Sequence, residues 1–385
     1  MISMQYRKCG RCGFFVSAIG LGCEGFSGKS DEYIRDLINR ARKAGINFID
    51  LFTPDPAVRD SVGRALEKDR ADFIIQGHLC TYFEDGQYTK TRSIERTKEA
   101  FSDLLARLKT DYIDIGMIHY VDTMEEYNEV FNGKIGEFAA ELKRTGKIRH
   151  IGMSSHNAAV ALRAVREMKI DVLMFSINPA YDLENAATDI YAQMDFADFD
   201  RDFVKADSER AELYAACEAA GVAISVMKAF GGGRLLDAAT SPFGSALTPV
   251  QCISYALSRP GVCSVMCGCA TPEELEADCA YCTATDAERS FSSVFADFSK
   301  LKANGVCMYC GHCAPCTSHI DIAAVSKLLD LAFMYDEVPK SVENHYDGLE
   351  YHAIDCVECA QCEARCPFGV QIRDMMKRAQ RVFGR

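Results

Sequence analysis

The sequence predicts an α/β protein: a (β/α)8 TIM barrel opened by an N-terminal β-hairpin and followed by a small α-helical, cysteine-rich domain. Three observations carry this. Short apolar runs alternate with amphipathic stretches eight times across residues 18–281, the pattern of strands that each return through a helix. Eight of the 19 cysteines fall in two tight groups near the C-terminus. The length of 385 residues accommodates two or three domains at roughly 100–200 residues each. The expected division is a barrel over residues 1–300 and the cysteine-rich domain over 301–385.

The elements follow in order. Residues 4–15, with turns at Gly10 and Gly13, read as a hairpin capping the barrel bottom. The apolar runs at 18–21, 47–51, 72–76, 112–119, 148–154, 172–177, 222–227 and 263–268 are strand-length. Helical periodicity fills 31–43, 57–67, 93–109, 134–145, 158–168, 207–220, 249–258 and 272–281. Gly45, Gly146 and Gly221 sit where helices should end, because glycine tolerates the left-handed C-cap. A doubly wound sheet would need fewer units and a glycine-rich first turn. Long loops are expected at 77–91 and 178–206, after the third and sixth strands. Barrels build their sites at that end.

Composition narrows the function. A 48% hydrophobic, 25% charged chain is globular, which excludes wholesale disorder. With 55 acidic against 43 basic residues and a formal charge of −12, it is a poor partner for nucleic acid. No apolar run approaches the roughly 20 residues that span a bilayer, and residues 1–10 lack an apolar leader core. The expectation is a cytoplasmic protein with reduced cysteines and no membrane partner.

The cysteine groups read Cys307-Met-Tyr-Cys310-Gly-His-Cys313-Ala-Pro-Cys316 and Cys356-Val-Glu-Cys359-Ala-Gln-Cys362-Glu-Ala-Arg-Cys366-Pro367. The second matches the bacterial ferredoxin run C-x2-C-x2-C-x3-C-P, and the first is the same run one residue short. A cysteine every third residue lets a tight loop wrap three thiolates round a [4Fe–4S] cube. The fourth thiolate then comes from elsewhere, and in two-cluster ferredoxins the last cysteine of each run serves the other cluster. One cluster is therefore assigned to Cys307, Cys310, Cys313 and Cys366, the other to Cys356, Cys359, Cys362 and Cys316. Two structural zinc sites are the alternative, disfavoured by four cysteines in ten residues and by Pro367. Residues 320–335 and 342–354 read as helices between the groups, as in a helical two-cluster ferredoxin. The other eleven cysteines read as core. Among them Cys9-Gly-Arg-Cys12 is a lone pair in a turn, and Cys80 and Cys269 follow strands as candidate reactive thiols.

Four segments point to a family. They are Gly45-Ile-Asn-Phe-Ile-Asp50, Leu108-Lys-Thr-Asp-Tyr-Ile-Asp114 with Ile118-His119, Gly146-Lys-Ile-Arg-His-Ile-Gly152-Met-Ser154, and Val226-Met-Lys228-Ala-Phe-Gly-Gly-Gly233. In this order they resemble the aldo/keto reductases, and the last resembles the iron–sulfur branch, which appends a ferredoxin. The resemblance implies an Asp, Tyr, Lys and His that protonate a carbonyl while nicotinamide delivers hydride. Asp50 and His119 match two of them. Asp55 stands where the Tyr should be, and Gln76 ends the run where the Lys should be. An ionised Asp55 accepts but does not donate, so the chemistry does not carry over intact. His119, Asp50, Asp55 and His78 could instead form an acid/base cluster. Lys228 ends the seventh strand, where it acts in the site or pairs with Asp50, and Tyr120 and Tyr181 follow strands four and six. Ser154 and Asn178 are candidate cofactor contacts, Ser154 lying where the family contacts the carboxamide.

Two further loops read as phosphate binders. Gly231-Gly232-Gly233-Arg234 follows strand seven, and Gly268-Cys-Ala-Thr271-Pro272 follows strand eight with Thr271 as a helix cap. Glu273 and Glu274 would repel a 2′-phosphate, which argues against NADPH. Nicotinamide moves two electrons at once and a cluster moves one, so a flavin is expected between them, or a substrate reduced in single-electron steps. The reading is an iron–sulfur oxidoreductase that couples a small organic substrate or nucleotide cofactor in the barrel to a one-electron redox partner. The alternatives are a non-catalytic electron carrier or sensor with a degenerate barrel, and an NAD(P)H-dependent carbonyl reductase with structural clusters.

Overall fold

The computed structural model describes residues 4–183, 208–291, 307, 309, 313–333, 337–366 and 369–385. Among these, residues up to 291 form one compact unit and those from 307 onward a second.

In the first unit, β1 (Tyr6–Lys8) and β2 (Phe15–Ser17) pair antiparallel. Eight parallel strands then close a barrel: β3 (Ile19–Gly22), β4 (Phe48–Leu51), β5 (Ile74–Leu79), β8 (Ile113–Ile118), β9 (Ile148–Ser155), β10 (Val172–Ser176), β11 (Ala223–Met227) and β12 (Val262–Cys267), with β12 beside β3. Most of these strands are buried along their whole length, which is why they read as continuous apolar runs rather than alternations. The hairpin closes the bottom. Gly10 has φ +46, and a Cβ there would lie 2.3 Å from Gly221 O; only glycine lets the turn approach. Arg11 clamps it, its backbone N–H donating to Gly221 O at 2.8 Å and its guanidinium to Asp171 Oδ1 at 3.0 Å.

The return helices include α1 (Asp31–Lys43), α2 (Pro56–Leu66), α3 (Ile94–Leu108), α4 (Met124–Phe131), α5 (Lys134–Arg144), α6 (Ala158–Arg166), α7 (Ser208–Ala220), α8 (Pro249–Leu257) and α9 (Pro272–Cys279). Ser30, Ser93, Asn157 and Thr248 cap α1, α3, α6 and α8 by accepting backbone N–H bonds. None of the described helices is long and apolar enough to cross a membrane.

Two expectations change here. The third barrel strand runs on to Leu79, so His78 lies inside it. The expected loop at 77–91 is instead a hairpin of β6 (Thr81–Glu84) and β7 (Gln87–Lys90). Its turn is Asp85–Gly86, with φ +52 and +77, the two-residue form that matches strand twist. Of the expected loop at 178–206, residues 184–206 lie outside the described residues.

The second unit holds α10 (Ile322–Phe333), α11 (Lys340–Asp347), a short helix Gln361–Arg365 and α12 (Ile372–Phe383). Tyr346 is fully buried; its hydroxyl accepts from Ala353 N–H at 2.9 Å, and its ring stacks on Phe383 at 4.0 Å.

Candidate active site and cluster ligands

A cleft of about 860 Å3 opens at the C-terminal ends of the barrel strands. Gly22, Asp50, His78, His119, Ser154, Lys228 and Gly268 line it, drawn from seven strand ends. β4 and β5 are in register, with Asp50 beside Gln76. Gln76 Nε2 donates to Asp50 Oδ1 at 2.7 Å, and Gln76 Oε1 accepts from Ser225 Oγ at 3.0 Å. The amide thus fixes the carboxylate from the strand that the family resemblance expects to close with a lysine.

From Asp50 a run of hydrogen bonds leads outward. His78 Nε2 lies 3.0 Å from Asp50 Oδ1, His78 Nδ1 lies 2.8 Å from His119 Nδ1, and His119 Nε2 lies 2.5 Å from Tyr88 Oη. An ionised Asp50 can only accept. That places the His78 proton on Nε2 and leaves Nδ1 to accept from His119 Nδ1–H. His119 Nε2 then accepts from the Tyr88 hydroxyl. Burial holds His119 well below the ordinary imidazole value, with repulsion from His78 and Arg92 adding to it. Arg92 fixes the strand end by donating to His119 O at 2.9 Å and Tyr120 O at 2.7 Å. Phe52 stacks on His119 with ring centres 6.2 Å apart. Tyr120 Oη stands 3.4 Å from Tyr88 Oη.

Asp50, His78 and His119 are thus brought together, and Asp55 stands apart. It caps α2, its Oδ1 accepting from Ala57 N–H at 2.9 Å; a carboxylate before Pro56 is better used on the orphan amides of a helix start. Lys228 lines the cleft but pairs with His156, at 3.2 Å, rather than Asp50. Tyr181 is buried behind the cleft, its backbone N–H donating to Asn178 Oδ1. Tyr88 was not singled out in the sequence, although Asp85–Gly86 flanked by alternating residues signals the hairpin that carries it.

The candidate cofactor contacts divide. Ser154 Oγ is buried in the cleft wall with no hydrogen-bond partner among the described residues, so it suits a ligand's polar group. Asn178 is occupied internally: Nδ2 donates to Lys228 O at 2.9 Å and Oδ1 serves Tyr181. Gly232 and Gly233 line the cleft with φ +65 and +86, whereas Gly231 and Arg234 are not among its lining residues. Gly268 lines the cleft and Thr271 caps α9. From the sequence a phosphate is expected at that helix start. Glu274 Oε2 already accepts the N–H groups of Ala270 (2.7 Å) and Thr271 (3.2 Å), and a phosphate there would face a carboxylate. Buried Asp278 also lines the cleft, pushed up to about 6 by burial.

In the second unit Cys316, Cys356, Cys359 and Cys362 line one small cavity, the four thiols assigned to one cluster. Four thiols from two runs around a shared hollow suit a cubane donor set, although no three metal-binding side chains among the described residues converge on one point. Arg365 ties the runs together by donating to Cys313 O at 3.0 Å and Pro315 O at 2.6 Å. Cys307 and Cys366 are half-buried, and Cys310 lies outside the described residues. Cys80 and Cys269, the candidate reactive thiols, are buried and pushed up by burial, which makes them poor nucleophiles.

Residues 18–246 match the family model described as the aldo/keto reductase family, and residues 306–371 match that of a 4Fe-4S dicluster domain. The chain is 30% identical over 184 residues to the uncharacterized oxidoreductase YqkF of Bacillus subtilis, covering 46% of this chain. It is 28% identical over 199 residues to L-glyceraldehyde 3-phosphate reductase of Escherichia coli, covering 48% of this chain. Each match spans 56% of the relative's own length. Aldo-keto reductase AKR11C1 from Bacillus halodurans, in its holo form, superposes with a TM-score of 0.58 at 23% identity, over 77% of this chain and 96% of that one. This last likeness is one of fold.

Proposed function

The chain belongs to the aldo/keto reductase family and carries a 4Fe-4S dicluster domain, and on that premise we propose that its barrel interconverts a carbonyl and an alcohol, with Tyr88 as proton donor and the clusters passing electrons singly to a redox partner. One observation carries this: the unbroken run Asp50–His78–His119–Tyr88, which ends in a phenol at a cleft of about 860 Å3.

The run has two proton arrangements. With Asp50 ionised, every proton points toward it, and Tyr88 is ready to accept a proton from an alcohol. When Tyr88 takes that proton, its own passes to His119 Nε2, the His119 Nδ1 proton passes to His78, and the His78 Nε2 proton reaches Asp50. Reduction runs the same shift backward and delivers the proton to the carbonyl oxygen. No imidazolium is needed, which suits a buried His119 held neutral. Phe52 and Tyr120 line the cleft beside His119 and Tyr88.

Ser154 Oγ and the Gly232–Gly233 backbone would hold a nucleotide cofactor, NAD(H) or a flavin, which supplies or takes the electrons when bound. We favour a flavin, because carbonyl reduction needs two electrons and each cluster carries one. The open cleft favours catalysis over a carrier with a degenerate barrel. The missing lysine and tyrosine disfavour a reductase that merely retains its clusters for structure.

The test is anaerobic turnover of small aldehydes by cluster-loaded protein, with NADH, NADPH and an artificial one-electron donor in turn. Tyr88→Phe should lower kcat about 100- to 1,000-fold with KM within about twofold. A variant as fast as the parent, or a barrel that binds neither flavin nor nicotinamide, overturns the reading.

A further inference from the structure

The cleft holds a second constellation that the run from Asp50 to Tyr88 does not use. Asp122 Oδ2 lies 3.0 Å from His156 Nδ1, and Asp122 Oδ1 accepts the His156 backbone N–H at 2.7 Å. This puts the ring proton on Nδ1, so Nε2 presents its lone pair to Lys228 Nζ at 3.2 Å. His156 is the hydrogen-bond partner of that amine among the described residues. Burial lowers Lys228 below the ordinary amine value against the pull of Asp122 and Glu24, and burial lowers His156 as well. Lys228 also sits at φ +58, held there by Asn178 through its carbonyl. A left-handed lysine is strained backbone of the kind that functional sites retain. Both Lys228 and His156 line the cleft, and Tyr120 lies between His156 and His119, with ring centres 5.2 and 4.4 Å away.

A nucleophile within reach of a base, and a base oriented by a carboxylate, is the arrangement of covalent catalysis. We propose that Lys228 forms an imine with an aldehyde in the cleft, with His156 as its base and Asp122 as the group that orients His156. His156 Nε2 takes a proton from the Lys228 ammonium. The free amine adds to the carbonyl carbon, forming the C–N bond, and a proton moves from nitrogen to the former carbonyl oxygen. His156 then returns its proton to that hydroxyl, which leaves as water while the C=N bond forms. One aldehyde is consumed and one water released, and no electrons are exchanged. The proposal rests on the reading that the cleft takes carbonyl compounds.

The test uses the full-length, cluster-loaded protein under anaerobic conditions with propanal at neutral pH, cyanoborohydride to fix any imine, and peptide mapping by mass spectrometry. Lys228 should gain the propyl group about tenfold or more faster than exposed Lys68 and Lys169, and His156→Gln should slow it about tenfold without affecting those two. Asp122→Asn provides a second variant, expected to slow Lys228 alone if His156→Gln does not fold. Lys228 labelled no faster than Lys68 in folded protein overturns the proposal, as does a rate indifferent to both variants. Aldehyde turnover that depends on Tyr88 without any adduct at Lys228 overturns it too, and leaves the function proposed above standing.

Discussion

Gln76 changes what Asp50 does. Its amide orients the carboxylate without neutralising it, donating at 2.7 Å while Ser225 fixes its other end. Asp50 also bonds His78, and the proposed proton path runs from there through the third and fourth strands. In the proposed function the phenol is Tyr88, 33 positions beyond Asp55, the position where the family resemblance places a Tyr. At the other end of the cleft stands Glu274. Its carboxylate occupies the two amides that would bind a phosphate. Glu274→Gln keeps the capping geometry and removes the charge, so NADPH affinity should rise about tenfold relative to NADH, measured by equilibrium fluorescence titration.

The element that shapes the site is the β6–β7 hairpin. It carries Tyr88 to His119, and Lys90 anchors it to Glu126 on α4. Behind it, α2 and α3 pack so closely that a Cβ on Gly63 would meet Arg107 O at 2.1 Å. Gly63→Ala should therefore destabilise the barrel by about 2 kcal/mol in denaturant unfolding, since backbone cannot yield as a side chain does. The bottom hairpin carries a pH signature. Burial works against charge on His150, yet Asp171 and Cys12 raise it to about 9. Raised above its unfolded value of about 6.5, it contributes stability that is complete below that pH and lost as pH climbs through about 9. Cys12, lowered to about 6 by its hydrogen bonds to Cys9 and His150, gains stability over the same window, so unfolding free energy should stay nearly flat between about 6.5 and 9, and His150→Gln should unmask a rise with pH.

At the scale of the molecule, an aldo/keto reductase barrel and a 4Fe-4S dicluster domain share one chain. The crossed assignment of cysteines makes a specific expectation. Cys316 belongs to the first run but lines the cavity of the second. Cys316→Ser should lower iron from about eight per chain toward about four by removing the second run's cluster, read by iron assay and paramagnetic resonance after reduction. Loss of the first run's signal instead would reverse the assignment. The barrel, the order of its eight strands and the two cysteine runs were legible in the sequence, because periodicity and ligand spacing are local quantities written in neighbouring residues. Asp50, His78 and His119 were legible as a group because each ends a strand of a barrel whose strand ends converge. Asp55 misled, because a position inherited from a family pattern says nothing of which way its side chain is used, and here it caps a helix. Tyr88, the Glu274 clamp and the pairing of Lys228 with His156 rather than Asp50 were decided only by the tertiary structure. Those contacts join residues far apart in the chain, or depend on the backbone turn that aims a side chain. Their partners are fixed by barrel closure and hairpin geometry, which no local pattern records.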